Sequence, residues 1–144
     1  MILSHTCLSY NSITRVGLGI VLCMALLTAC KEQEAPAQQN PVERFAEKIN
    51  FKCPFMVDVD TRMDSVHILP DSTFQYNYTL VNQVRDKMDV MGLTAYIGSQ
   101  LMETVRHSST MKFHRDQKLR MIFYYRDRNG DFVTQIIIEP EDYQ

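Results

Sequence analysis

The sequence lacks a surplus of either charge. Its 144 residues carry a formal net charge of -2, so no basic surface points to nucleic acid. It lacks a long apolar run: the longest, Val16 to Leu27, falls short of the roughly 20 residues that a membrane-spanning helix needs. It is poor in cysteine, with only Cys7, Cys23, Cys30 and Cys53. No histidine stands at metal-ligand spacing with a cysteine or another histidine, so no metal or other cofactor is expected. Apolar and charged contents of 45% and 22% are those of an ordinary globular protein, and the length suits one domain.

The short apolar run has a different meaning from a membrane span. One cation, Arg15, precedes it, and it ends in Leu27-Thr28-Ala29-Cys30. A charged residue, an apolar core of about 7–15 residues and a small-residue end are the parts of a secretory signal. The last four residues resemble the lipobox of bacterial lipoproteins, in which small side chains fit the peptidase and the cysteine sulfur accepts diacylglycerol. The expectation is a signal peptide over 1–29 and a lipidated Cys30, with the chain anchored to the membrane by acyl chains such as palmitate. A transmembrane anchor with an incidental Cys30 is the competing reading. The switch to Lys31-Glu32-Gln33-Glu34 counts against it.

On that reading Cys7 and Cys23 leave with the signal and Cys30 takes lipid. Cys53 then has no internal partner, and the domain is no disulfide scaffold. Beside Pro54 and Phe55 it reads as a small buried hydrophobe, the alternative being a reactive thiol or an intermolecular bridge. The remaining chain holds 14 Lys+Arg against 17 Asp+Glu, because Arg15 is the only charged residue before Cys30. Residues 31–40 carry no apolar periodicity and read as a flexible tether. Residues 41–144 form the domain.

Asn40-Pro41 predicts a helix start, with Phe45 and Ile49 on one face of a helix over 41–50. Two strand-like runs follow, 61–69 and 73–82, with turn residues Pro70-Asp71-Ser72 between them. In the second, Phe74, Tyr76, Tyr78 and Leu80 alternate with polar residues, as in a half-buried strand. Val90, Leu93, Ile97, Leu101 and Val105 predict a helix over 90–107. A second hairpin, 118–126 with 132–138, turns at Asp127-Arg128-Asn129-Gly130. The expected fold is therefore α+β, in the order αββαββ: a four-stranded antiparallel sheet with two helices packed on one face.

Several of these residues form a familiar pattern. Pro54, Val57-Asp58, Thr61-Arg62-Met63-Asp64-Ser65-Val66 and Tyr76-Asn77-Tyr78-Thr79 are followed by Phe123-Tyr124-Tyr125-Arg126-Asp127 and Gly130. This resembles an uncharacterised family of small bacterial secreted or lipid-anchored proteins, with a Thr-Arg-Leu/Met-Asp-Ser core and Tyr-x-Tyr-Thr downstream. The resemblance implies a topology and an envelope location rather than a chemistry. Met63 stands where leucine is usual. Many relatives have a cysteine between the second helix and the third strand, where this chain has Met111-Lys112-Phe113-His114, so a redox role there would not transfer.

Candidate chemistry is sparse. Arg62 and Asp64 are two apart in a strand and share a face, suited to an anionic ligand or to a structural ion pair. Tyr76, Tyr78 and Tyr125 are candidates for a ligand groove, although alternating aromatics also serve sheet packing. Tyr124 and Tyr143 belong to the same set. His67, His107 and His114 read as surface histidines. His114 with Asp116 has the composition of a base and its orienting carboxylate, but no nucleophile stands in a recognisable motif beside them. Asp58-Val59-Asp60 and Asp127 to Asp131 are acidic without the spacing of a calcium loop.

The function expected is a non-catalytic binding module of the bacterial envelope. It would be lipid-anchored, with the outer membrane favoured over the inner, and its domain in the periplasm or on the cell surface. Its partner would be an envelope protein or another envelope component. Two alternatives stand beside it: a small enzyme or thiol-redox protein using Cys53 or His114, and an inhibitor-like module for a secreted enzyme.

Overall fold

The computed structural model of the protein describes residues 40–144. The signal peptide expected over 1–29, the lipidated Cys30 and the tether that follows it to residue 39 lie outside the described residues. Helix α1, Pro41–Asn50, begins as its sequence dictates: the Asn40 side chain accepts from the Val42 N–H at 2.9 Å, and Pro41 occupies a position that needs no N–H partner. Ala46 is buried, with Phe45 and Ile49 packed against the core.

The chain then forms β1 (Phe55–Met56), β2 (Thr61–Leu69) and β3 (Thr73–Leu80). Helix α2, Val90–His107, is followed by a short α3, Lys112–Asp116, and by β4 (Arg120–Asp127) and β5 (Phe132–Ile138). Both expected hairpins are present: β2 pairs antiparallel with β3, and β4 with β5.

Three features correct the expected sheet. It has five strands in the order β1-β2-β3-β4-β5, the short β1 adding an edge. Its central pair, β3 with β4, is parallel, so the sheet is mixed rather than antiparallel. A third helix, α3, joins the two expected ones. The physical reason for the parallel pair is length. Helix α2 has 18 residues and runs about 27 Å, close to the roughly 26 Å of an eight-residue strand. One helix carries the chain back along the sheet, and β4 starts at the same end as β3.

Strand β2 also departs from strict alternation. Met63 and Val66 are both buried although three apart, because a bulge between Met63 and Ser65 gives Asp64 no partner in the register. Beyond the reach of β1, the outer edge of β2 at Val66 is satisfied by a side chain instead. Asn50 donates to the Val66 carbonyl at 2.8 Å and accepts from its N–H at 2.6 Å. The end of α1 thereby takes the place of a neighbouring strand.

All three helices cover the same face. Phe45 of α1 and His114 of α3 pack on Phe74, and the hydroxyls of Thr94 on α2 and Thr134 on β5 hydrogen-bond at 2.9 Å. The other face carries Arg62, Ser65, Asn77, Thr79, Tyr124 and Arg126, with no helix among the described residues packed on it.

Candidate functional site

The covered face is built around aromatic pairs across the parallel strands. Register places Tyr76 beside Phe123 and Tyr78 beside Tyr125. Their rings stack at centroid distances of 5.3 and 5.0 Å, with interplanar angles of 8° and 15°. The two aromatic motifs of the sequence are thus one structure, each supplying half of a stacked ladder. Burial raises the pKa of Tyr76, Tyr78 and Tyr125, and the Asp58 carboxylate adds to the effect at Tyr125.

His114 belongs to the same core, which corrects its expected place on the surface. It is 1% exposed, because the one-turn helix α3 packs its inward side against Phe45, Phe74 and Tyr76. Its Nε2 meets the Tyr76 hydroxyl at 2.8 Å, and Nδ1 has no partner among the described residues. A proton added there would bury a charge among rings. Burial first, then the nearby Arg115 cation, pushes its pKa down to about 4. Asp116 is engaged elsewhere, accepting from Lys112 at 2.6 Å, so the base-and-carboxylate pairing suggested by composition is not assembled.

Asp127 is fully buried and organises the loops at one end of the sheet. One carboxylate oxygen accepts from the Arg85 N–H at 2.9 Å, and the other from Asn129 and Asp131 at 2.8 and 3.0 Å. These donors, Arg85 foremost, hold its carboxyl below the usual range. The acidic run at 127–131 is therefore a hairpin turn capped by its own aspartate. Likewise Asp58 accepts from the Asp60 and Thr61 N–H groups, both at 2.8 Å, and shapes the entry to β2.

Arg62 and Asp64 lie on the open face and meet at 2.5 Å, with Thr79 donating to the other Asp64 oxygen at 2.5 Å. They are on the opposite side of the sheet from the tyrosines, so the structure does not gather the sequence candidates into one site. Cys53 is half-buried against the core; burial, and secondarily the Asp64 carboxylate, push its thiol pKa up. Among the described residues, no group of three or more His, Cys, Asp or Glu side chains is placed to hold a metal ion.

What the structure does form is a groove. It runs between α2 and the β1–β2 connection, over the edge of the covered face. Its larger part, about 660 Å³, has Leu80, Leu93 and Ile97 among its apolar lining residues, with Val59 and Tyr96 at the rim. Asp58, Asp60 and Asp89 supply three carboxylates, and no cation stands among the described lining residues. A smaller continuation of about 260 Å³ shares Asp58, Thr61, Tyr96 and Ile97, and reaches Tyr78 and Tyr125. Tyr76 does not line either part. Val59 and Tyr96, 83% and 66% exposed, leave apolar surface in water. Sequence periodicity missed this site. The helical stripe marks Leu93 and Ile97 only as core-facing residues, and nothing in the pattern shows that α2 stands away from the β1–β2 connection.

These features define a small α+β domain in which helices cover one face of a mixed sheet and leave a groove beside α2. The sequence matches the family model "Domain of unknown function (DUF8479)" over residues 36–133, and the chain belongs to that family. Its fold is similar to that of a Pseudomonas aeruginosa protein described as secreted, with a TM-score of 0.59 and 10% identity, covering 72% of this chain and 89% of that one. It is also similar to the pilotin EpsS of the Vibrio vulnificus type 2 secretion system, with a TM-score of 0.54 and 11% identity, covering 70% and 86%. At such identities the likeness is one of fold. No curated protein matches the sequence.

Proposed function

We propose that the protein is a non-catalytic binding module of the bacterial envelope, held to a membrane through lipid on Cys30. Its binding site is the groove beside α2. The observation that carries this reading is the groove itself, an apolar trough under exposed Val59 and Tyr96 with three carboxylates at its margin. That chemistry fits a short amphipathic segment of another envelope protein, with apolar residues on one side and Lys or Arg on the other. The tether residues 31–39 do not suit it, having two Glu to one Lys and no apolar side chain larger than Pro36. The similarity in fold to a pilotin supports a partner belonging to an envelope assembly.

The enzymatic alternative has less support. His114 is sealed in the core and lines neither part of the groove, and the raised thiol pKa of Cys53 leaves little thiolate to react. The test is a set of labelled amphipathic peptides that differ only in the charge of their polar face. Cationic peptides should bind, more weakly as salt rises, and should shift the NMR signals of Leu93, Tyr96 and Ile97. Tyr96→Glu should abolish binding without loss of fold. Equal binding of cationic and anionic peptides, or shifts centred on the open sheet face, would remove the groove from the account. Mass spectrometry of the mature N-terminus tests the anchor separately: an unmodified Cys30 ends that part.

A further inference from the structure

A second exposed apolar surface lies along α1 and the start of β1, and it shares no lining residue with the groove. Phe51, just past the helix end, is 92% exposed, and Phe55 is 36% exposed. Both line a shallow hollow of about 840 Å³ together with Arg44, Lys48 and Lys52. Glu47 is the only carboxylate among the described residues of this lining, so three cations stand against one acid. A bare phenyl ring between lysines has the chemistry of a surface that meets anionic headgroups, the ring entering the acyl boundary and the ammonium groups remaining among phosphates.

The position of this surface in the chain suggests what it meets. It lies on the first element after the tether. Helix α1 is 10 residues, so Phe51, just past its far end, stands about 15 Å from the point where the tether joins the domain. Residues 31–40 extend at most about 35 Å, enough for that side of α1 to lie on the bilayer without strain. We propose that the Phe51 face of α1 rests on the anionic membrane leaflet that holds the lipid, leaving the groove beside α2 free for a protein partner. This rests on the reading of Cys30 as the lipid anchor.

The protein contains no tryptophan, so one introduced indole reports its own surroundings. Full-length lipoprotein carrying Phe51→Trp, and separately Met91→Trp as an 83% exposed control on α2, is reconstituted into vesicles of neutral and anionic phospholipid. Flotation with the vesicles reads the anchor; quenching by brominated acyl chains reads the face. The indole at position 51 should emit at shorter wavelength than the control. It should also be quenched at least about twofold more than the indole at position 91, as an insertion of roughly 5–10 Å requires. The quenching should weaken in purely neutral vesicles and on adding Lys48→Glu with Lys52→Glu. A floating protein whose two indoles are quenched alike overturns the proposal while the anchor stands. A blue-shifted indole at position 51 that brominated lipid does not quench also overturns it, since another protein surface then covers that position. A protein that fails to float removes the anchor and this proposal with it.

Discussion

Acidification tests the core directly, because between about pH 4 and 6.5 the His114 imidazole stays mainly neutral only while the chain is folded. Its pKa of about 4 lies well below the ordinary 6.5 that it regains on unfolding. The unfolded chain therefore binds the proton more readily. The resulting stability is fully present above pH 6.5 and falls as pH falls toward 4, where the loss levels off. The gap corresponds to about 3 kcal/mol in all, of which about 2 kcal/mol is lost by pH 5. Urea unfolding followed by circular dichroism, from about pH 7.5 to 5, measures it on the chain lacking residues 1–30. His114→Gln removes the titration and retains an amide near the Tyr76 hydroxyl. The stability advantage of wild type over the variant should shrink by about 2 kcal/mol across that range. Parallel curves, or an NMR midpoint for the His114 ring above 6, would refute the argument from burial.

Other substitutions separate the core from the surface. Phe123→Ala should cost about 3–5 kcal/mol, since it empties a fully buried site and unstacks Tyr76, and denaturant unfolding measures it. Arg62→Ala on the open face should cost less than about 1 kcal/mol by the same assay, because the Arg62–Asp64 pair is partly exposed. Asp127→Asn should lower the melting temperature by turning an amide NH2 toward at least one of the backbone donors that the carboxylate accepts. Because the Asp127 carboxyl is held below its usual range, its contribution is present at neutral pH and lost as pH falls below about 4. Cys53 should react slowly with a maleimide in the folded protein at pH 7 and quickly in urea; equally fast reaction in both would restore the thiol-redox reading.

The motif residues that carried the family resemblance are mainly devices of the fold. The two Tyr-containing motifs are the two sides of one stacked ladder, Asp127 caps the loops behind it, and Asp58 turns the chain into β2. Asp64 occupies the bulge that lets Met63 and Val66 face the same core. Their positions near one another make residues spread from Asp58 to Asp127 parts of one structural unit.

The sequence by itself determined the local elements. Asn40-Pro41 and the 90, 93, 97, 101, 105 spacing set two helices, and the alternation from Phe74 to Leu80 and the Asn129-Gly130 turn set strands and hairpins. Each depends on neighbours a few residues apart, where side-chain period and cap chemistry act. Tertiary structure alone decided the rest. The direction of β4 against β3 followed from the length of α2 relative to the strands. The burial of His114 followed from packing, since five residues of helix are too few to show a period. The groove exists because α2 stands clear of the β1–β2 connection, and that spacing is a relation between surfaces far apart in the chain. The sequence thus defined which residues are apolar, charged or small. Only the assembled sheet decided which of them meet water, and so which are available to a partner.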